Sequence, residues 1–185
     1  KEFDNKEEFE LNWVEASAHP IGAVGLWNSM IKIIKMAKEK GDDIIVICED
    51  DHYFTENYSP KLLFKEVTEA YIQGAEVLSG GIGGFGQAIP AGYHRYKVDW
   101  FWCTQFIVIY NRFFDKMLDY SFQNTDTADG VISKLATNIM VIYPFISEQK
   151  DFGYSDVTQS NMEQQGKIRE HFARANKHMK SISLK

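Results

Sequence analysis

Ile44-Ile45-Val46-Ile47-Cys48-Glu49-Asp50-Asp51 is a run of five apolar residues followed at once by three acids. The run is too short for a free-standing helix and rich in β-branched side chains, so it predicts a buried strand. Burying an unpartnered charge costs several kcal/mol, roughly. The acids are therefore expected just past the C-terminal end of the strand, at the mouth of the sheet. Open α/β sheets bind ligands there. Three neighbouring carboxylates repel one another unless a cation neutralises them, and an all-oxygen donor set suits Mg²⁺ or Mn²⁺. The bland alternative is a solvated acidic turn.

Outward from this stretch the chain alternates helix and strand. Leu26, Trp27, Met30, Ile33, Ile34 and Ala37 share one helical face, which predicts a helix from about Val24 to Lys40 with Gly41 as its C-cap. Ser59-Pro60 reads as N-cap and first-turn proline of a second helix, with Leu62, Leu63, Val67, Ala70 and Tyr71 as its buried face. A short strand is expected near Glu76–Ser79, then an irregular glycine-rich stretch from Gly80 to Gly86. Phe106–Tyr110 reads as a strand, and Asn111 as the cap of a short helix to about Leu118. Another helix is expected from Thr125 or Asp126 to Thr137, and a strand over Ile139–Tyr143 closed by Pro144. A long loop to about Thr158 then leads into a polar, basic C-terminal helix over 159–185. Such alternation predicts the α/β class, with a mainly parallel central sheet flanked by helices in a single domain over 1–185. Residues 1–20 show no assignable element.

The chain has 185 residues, a size that fits one domain with a sizeable core. A net charge of −6 argues against a nucleic-acid partner, which needs clustered Lys and Arg. The tail is the exception. Lys167, Arg169, Arg174, Lys177, Lys180 and Lys185 stand against one acid, Glu170, so it could touch an anionic membrane surface or simply form a solvated helix end. Cys48 and Cys103 form neither a metal pattern nor a disulfide framework, which suits a reducing, cytoplasmic setting. No apolar run is long enough to cross a membrane, and no signal peptide is evident. His52 reads as an exposed loop residue, with a contact to metal or phosphate as the alternative.

Four ordered elements resemble a known family. Gly22, Gly25 and Ser29 are similar to a G-x-x-G-x-x-x-S helix start. Glu49-Asp50-Asp51 follows at the expected spacing as an E-D-D triplet. Pro144, Gln149 and the pair Ser155-Asp156 look like a later proline, glutamine and Ser-Asp series, and Asp129 resembles an acid on the preceding helix. Together they resemble the nucleotide-sugar glycosyltransferases of the GT-A fold, and within them the lipooligosaccharide galactosyltransferase family, family twenty-five. Met30 and His52 depart from the pattern, which there has His and an apolar residue. The resemblance covers about residues 20 to 157. It implies a GT-A-like, Rossmann-like sheet whose first strand would lie before residue 1. It also implies a metal-dependent hexosyltransferase that uses a nucleotide sugar, such as a UDP-sugar, and a saccharide or glycolipid acceptor in surface glycan synthesis, at the inner membrane face.

Sugar transfer needs a neutralised leaving diphosphate and a positioned acceptor hydroxyl. Asp51 and Glu49 are the expected metal ligands, with Mn²⁺ or Mg²⁺ as Lewis acid. Asp50, one residue out of phase, would face the ribose or the donor sugar. Asp129 is the expected base, with Asp126 as the helix cap; a purely capping role for Asp129 is the alternative. Ser29 and Gln149 join the donor site through the resemblance. Gly83 and Gly84 could let backbone amides approach a sugar or phosphate, or belong to a plain flexible loop. Trp102 lies in an aromatic cluster with Trp100, Phe101, Tyr93, His94 and Tyr96, readable as an acceptor platform or as core. A metal-dependent phosphoesterase or nucleotidyltransferase is the competing enzyme reading, and a non-catalytic sugar- or nucleotide-binding module the third.

Overall fold

The computed structural model describes residues 2–151 and 167–183. Helix α1 (Gly22–Lys40) ends at Gly41, whose φ of 77° is a conformation that suits glycine. Strand β1 (Ile44–Cys48) follows, and a turn over Glu49–His52 leads into β2 (His52–Phe54). Helix α2 (Pro60–Ile72) starts as expected, Ser59 Oγ accepting the N–H of Leu62. Then come β3 (Val77–Ser79), β4 (Ala88–Pro90), β5 (Arg95–Val98), β6 (Phe106–Tyr110) and α3 (Asn111–Leu118). The described chain closes with α4 (Ala128–Leu135), β7 (Ile139–Ile142), β8 (Ser147–Gln149) and α5 (Lys167–Ser183).

Six strands form one sheet in the order β1-β6-β3-β7-β5-β4, and β2 pairs with β8 in a second, two-stranded sheet. The α/β class holds, but the mainly parallel sheet does not. Only β3–β7 is a parallel pair; the other four pairings in the large sheet are antiparallel. Strands β1, β3 and β7 do run the same way, as helix–strand alternation predicts. The chain between β3 and β6 carries no helix, however. Without a crossover, β6 inserts reversed between β1 and β3, and β5 runs against β7.

Period-two alternation sorts the strands into two cores. Ile45, Ile47, Val77, Ile107, Ile109, Ile139 and Val141 face α1, α3, α4 and α5. Ile44, Val46, Cys48, Leu78, Phe106, Val108, Met140 and Ile142 face α2 and the Phe9–Phe54–Tyr58 aromatics. Both faces are covered, which explains why β1 and β6 read as unbroken apolar runs. One buried ion pair lies under α2. Arg95 of β5, 0% exposed, donates to Glu66, also 0% exposed, and reaches Glu69 at 3.4 Å. The motif Gly22/Gly25/Ser29 has a local packing role. Ser29 Oγ accepts the N–H of Ser17 at 2.9 Å, and a Cβ at Gly25 would lie 2.7 Å from the Ser17 carbonyl oxygen. The pair seats the segment before α1 on the helix.

Candidate active site

The acids lie where the apolar run predicts, immediately after β1. Register pairs Cys48 with Phe106, so Glu49 meets the residues just ahead of β6. Glu49 N–H donates to the Gln105 carbonyl at 3.0 Å, and Thr104 Oγ1 donates to Glu49 Oε1 at 2.6 Å. Burial pushes the Glu49 carboxyl up to about 7, and the charges of Asp51, Asp50 and Asp129 add to the rise against the Thr104 bond. Asp50 is exposed at the turn.

Asp51 is held from the other side. Gln149 Nε2 donates to its Oδ2, and its carbonyl accepts the Lys150 N–H at 2.7 Å. Gln149 faces His52 across the β2–β8 ladder, so two distant motif elements meet here. Asp51 Oδ1 is buried with no hydrogen-bond partner among the described residues. Burial pushes the Asp51 carboxyl up to about 6, and the neighbouring Asp50 charge contributes.

Asp129 joins them through Cys103. Cys103 N–H donates to Asp129 Oδ2 at 3.2 Å, while Oδ1 accepts from Thr127 Oγ1 at 2.6 Å and from Gly130 N–H at 2.8 Å. The N-cap of α4 is Thr127, not Asp126; Asp126 instead accepts from Gln123 N–H and Tyr120 Oη. Asp129 thus combines a place in the first turn of a helix with a tie to the strand end carrying Thr104. Cys103 has φ of 77°, strained for a non-glycine residue, as backbone at functional sites often is. Its thiol is pushed far up by burial and then by Asp129, Glu49 and Asp51, so three acids surround it.

The remaining sequence candidates divide. His52 is not an exposed loop residue: it is 1% exposed, its Nδ1 pairs with Ser147 Oγ at 2.8 Å, and burial lowers its pKa to about 4. Gly83 donates its N–H to the Trp102 carbonyl, and Gly84 accepts from the Trp102 N–H. A Cβ on Gly83 would lie 2.7 Å from Cys103 Sγ, and one on Gly84 2.7 Å from the Trp102 ring, so these glycines admit protein rather than open space. The aromatic cluster splits, with Phe101 and Tyr96 buried and Trp102 46% exposed. Ser29 serves the packing described above, and Ser155-Asp156 lies outside the described residues. Thr104, Cys103 and Gln105 were missed from sequence, because their proximity to Glu49 and Asp129 follows from the reversed insertion of β6.

A divalent cation fits one feature of this site, the orphaned Asp51 Oδ1 beside a second raised carboxyl. Among the described residues no group of three or more His, Cys, Asp and Glu side chains is arranged to hold a metal ion. A cation here would therefore take Asp51 and Glu49 and complete its shell with water and substrate oxygens, the usual manner of Mg²⁺. Two shallow clefts lie elsewhere. One is at the opposite end of β1, lined by Lys38, Asp43, Asn111 and Arg112, and the other is lined by Tyr53, Asn57, Phe145 and Glu148.

No family model and no curated protein matches the chain. Solved structures do. Apo UDP-glucose pyrophosphorylase aligns with TM-score 0.46 and 10% identity, over 83% of this chain and 61% of that one. UDP-glucose pyrophosphorylase complexed with UDP-glucose aligns with TM-score 0.47 and 8% identity, over 89% and 64%. The chain spans less than two thirds of the length of either structure.

Proposed function

We propose that this chain carries the catalytic site of a metal-dependent glycosyltransferase, moving a hexose from a nucleotide-sugar donor, such as a UDP-sugar, to a saccharide or glycolipid. The observation that carries the reading is Asp51: one oxygen fixed by Gln149, the other buried without a partner among the described residues, in a site where two carboxyls are held above their ordinary range. Such a site favours a cation. Mn²⁺ or Mg²⁺ bound there would act as a Lewis acid on the leaving diphosphate. Thr104 and Gln149 orient Glu49 and Asp51. Asp50, exposed at the turn, is placed to accept hydroxyls of the ribose or the donor sugar. Asp129 accepts the acceptor-hydroxyl proton, its carboxylate aimed by Cys103 N–H and Thr127.

No described helix is long and apolar enough to cross a membrane. Arg169, Arg174, Lys177 and Lys180 are exposed on α5, and the reading includes contact of these side chains with an anionic membrane surface.

The test is a thermal-shift titration with UDP in the presence and absence of Mn²⁺, followed by product analysis with UDP-hexoses. Metal-dependent stabilisation and release of UDP support the reading. Release of UMP and hexose 1-phosphate instead would assign a phosphoester-cleaving enzyme, and formation of UTP and hexose 1-phosphate on addition of pyrophosphate would assign a nucleotidyltransferase. No response to metal or nucleotide would leave a binding module.

A further inference from the structure

We propose that Trp102, Trp100 and Asp99 form a subsite holding one pyranose ring of a saccharide; that this ring belongs to the acceptor rests on the glycosyltransferase reading.

Trp102 is an exposed aromatic on a fixed backbone. Its N–H donates to the Gly84 carbonyl and its carbonyl accepts the Gly83 N–H, and its indole lies against the Gly84 Cα, where a Cβ would approach Cε3 to 2.7 Å. The rings of Trp100, at 5.1 Å and 48°, and His171, at 5.5 Å and 49°, flank it. Nearly half of the residue nevertheless faces solvent, at 46% exposure. An indole held on one side and open on the other is a stacking surface.

The polar partners stand beside it. Asp99 Oδ1 is saturated, accepting the N–H groups of Gly86, Gln87 and Trp100 at 3.0, 2.9 and 2.9 Å. These bonds lock the carboxylate and leave Oδ2 without a protein partner among the described residues. Oδ2 and the indole Nε1 of Trp100 converge over Gly86, 2.5 and 2.8 Å from where a Cβ would stand. Only glycine lets these two groups come so close to the loop backbone. One acceptor and one donor are thus presented side by side. Two neighbouring ring hydroxyls match them, one donating to the carboxylate and the other accepting from the indole N–H. The C–H face of the same ring lies on Trp102.

A nucleobase would also stack, but its phosphates would meet the Asp99 charge. A neutral sugar has no such conflict. The position also suits the reaction. Cys103, next to Trp102, donates its N–H to Asp129, so the segment that carries the indole is tied through its backbone to the proposed base.

The test is saturation-transfer NMR and tryptophan fluorescence with lactose, maltose and methyl β-galactoside, without metal or nucleotide. At least one sugar binds the wild type with Kd on the order of 1 mM. Trp102→Ala and Asp99→Asn each weaken binding at least about tenfold, and Gly86→Ala, whose methyl would displace Asp99 Oδ2 and Trp100 Nε1, does the same. The melting temperature of Trp102→Ala stays close to that of the wild type, which reports a folded protein. The proposal is overturned if no sugar binds the wild type, if binding survives Trp102→Ala, or if UMP displaces the sugar signal while binding at Trp102. Sugar binding without any metal or UDP response would sink the glycosyltransferase reading and leave the subsite standing. A UDP response without sugar binding would do the reverse.

Discussion

Gln149 donates its side-chain amide to Oδ2 of Asp51 across 98 residues of sequence, while Oδ1 of the same carboxylate is buried without a partner among the described residues. An unsatisfied buried oxygen costs about 1–3 kcal/mol, so the arrangement is strained until something donates to it. Asp51→Asn should abolish Mn²⁺ uptake by calorimetry and raise the metal-free melting temperature. Uptake equal to wild type in this variant would remove Asp51 from the metal site.

Stability and metal affinity should depend on pH in opposite directions. The folded-state values of Glu49, about 7, and Asp51, about 6, stand above ordinary values of 4.5 and 3.8. The native state therefore holds more protons than the unfolded chain between those limits. Metal-free stability is greatest below about pH 4 as far as these two groups decide it, and falls as pH rises to about 7. A cation competes with the same protons, so Mn²⁺ binding should strengthen from pH 5.5 to pH 7.5. Urea melts across this range, with and without Mn²⁺, check both signs. In Glu49→Gln the Glu49 part of the pH slope should vanish. His52, lowered to about 4, adds a slope of opposite sign up to about pH 6.5 in both proteins, so a pH slope in Glu49→Gln identical to wild type would contradict this account.

Asp129 accepts three hydrogen bonds and closes the first turn of α4. Its base role and its structural role separate by measurement. Asp129→Asn should lower turnover about a hundredfold or more if the carboxylate accepts the proton. Loss of helix-terminus charge alone would cost about 0.3–1 kcal/mol and leave turnover near normal. Steady-state kinetics beside a melting curve decides between them.

The pair Arg95–Glu66 sits wholly inside the protein, with Arg95 Nε and Glu66 Oε1 unpartnered among the described residues. Arg95→Met or Glu66→Leu alone strands a buried charge and should cost about 3–5 kcal/mol. The double variant should recover most of that loss. If the double variant is as unstable as the worse single one, the pair is more than an offset between two desolvated charges. Chemical denaturation of the three variants provides the comparison.

Much of this was readable in the residues. Gly41 and Ser59-Pro60 marked helix ends because their backbone and side-chain chemistry is local. The Phe106–Tyr110 run marked a strand because both its faces are covered. The acids fell at the end of β1 because a charge cannot follow the apolar run into the core. What could not be read was pairing. Nothing in Phe106-Ile107-Val108-Ile109-Tyr110 says that it runs antiparallel between β1 and β3, and that insertion is what delivers Thr104 to Glu49 and Cys103 to Asp129. The short strands β2, β4, β5 and β8 were missed as well. Unlike the apolar runs that begin β3 and fill β7, their three or four residues include polar residues or proline and carry too little periodicity to announce themselves.

Cys103 and Thr104 are neighbours, yet one serves Asp129 and the other Glu49. A change that tilts this dipeptide shifts two acids at once. Replacements at Glu49 and Asp129 should accordingly be epistatic rather than additive. Glu49, Asp129, Cys103 and Thr104 are thus coupled as one unit.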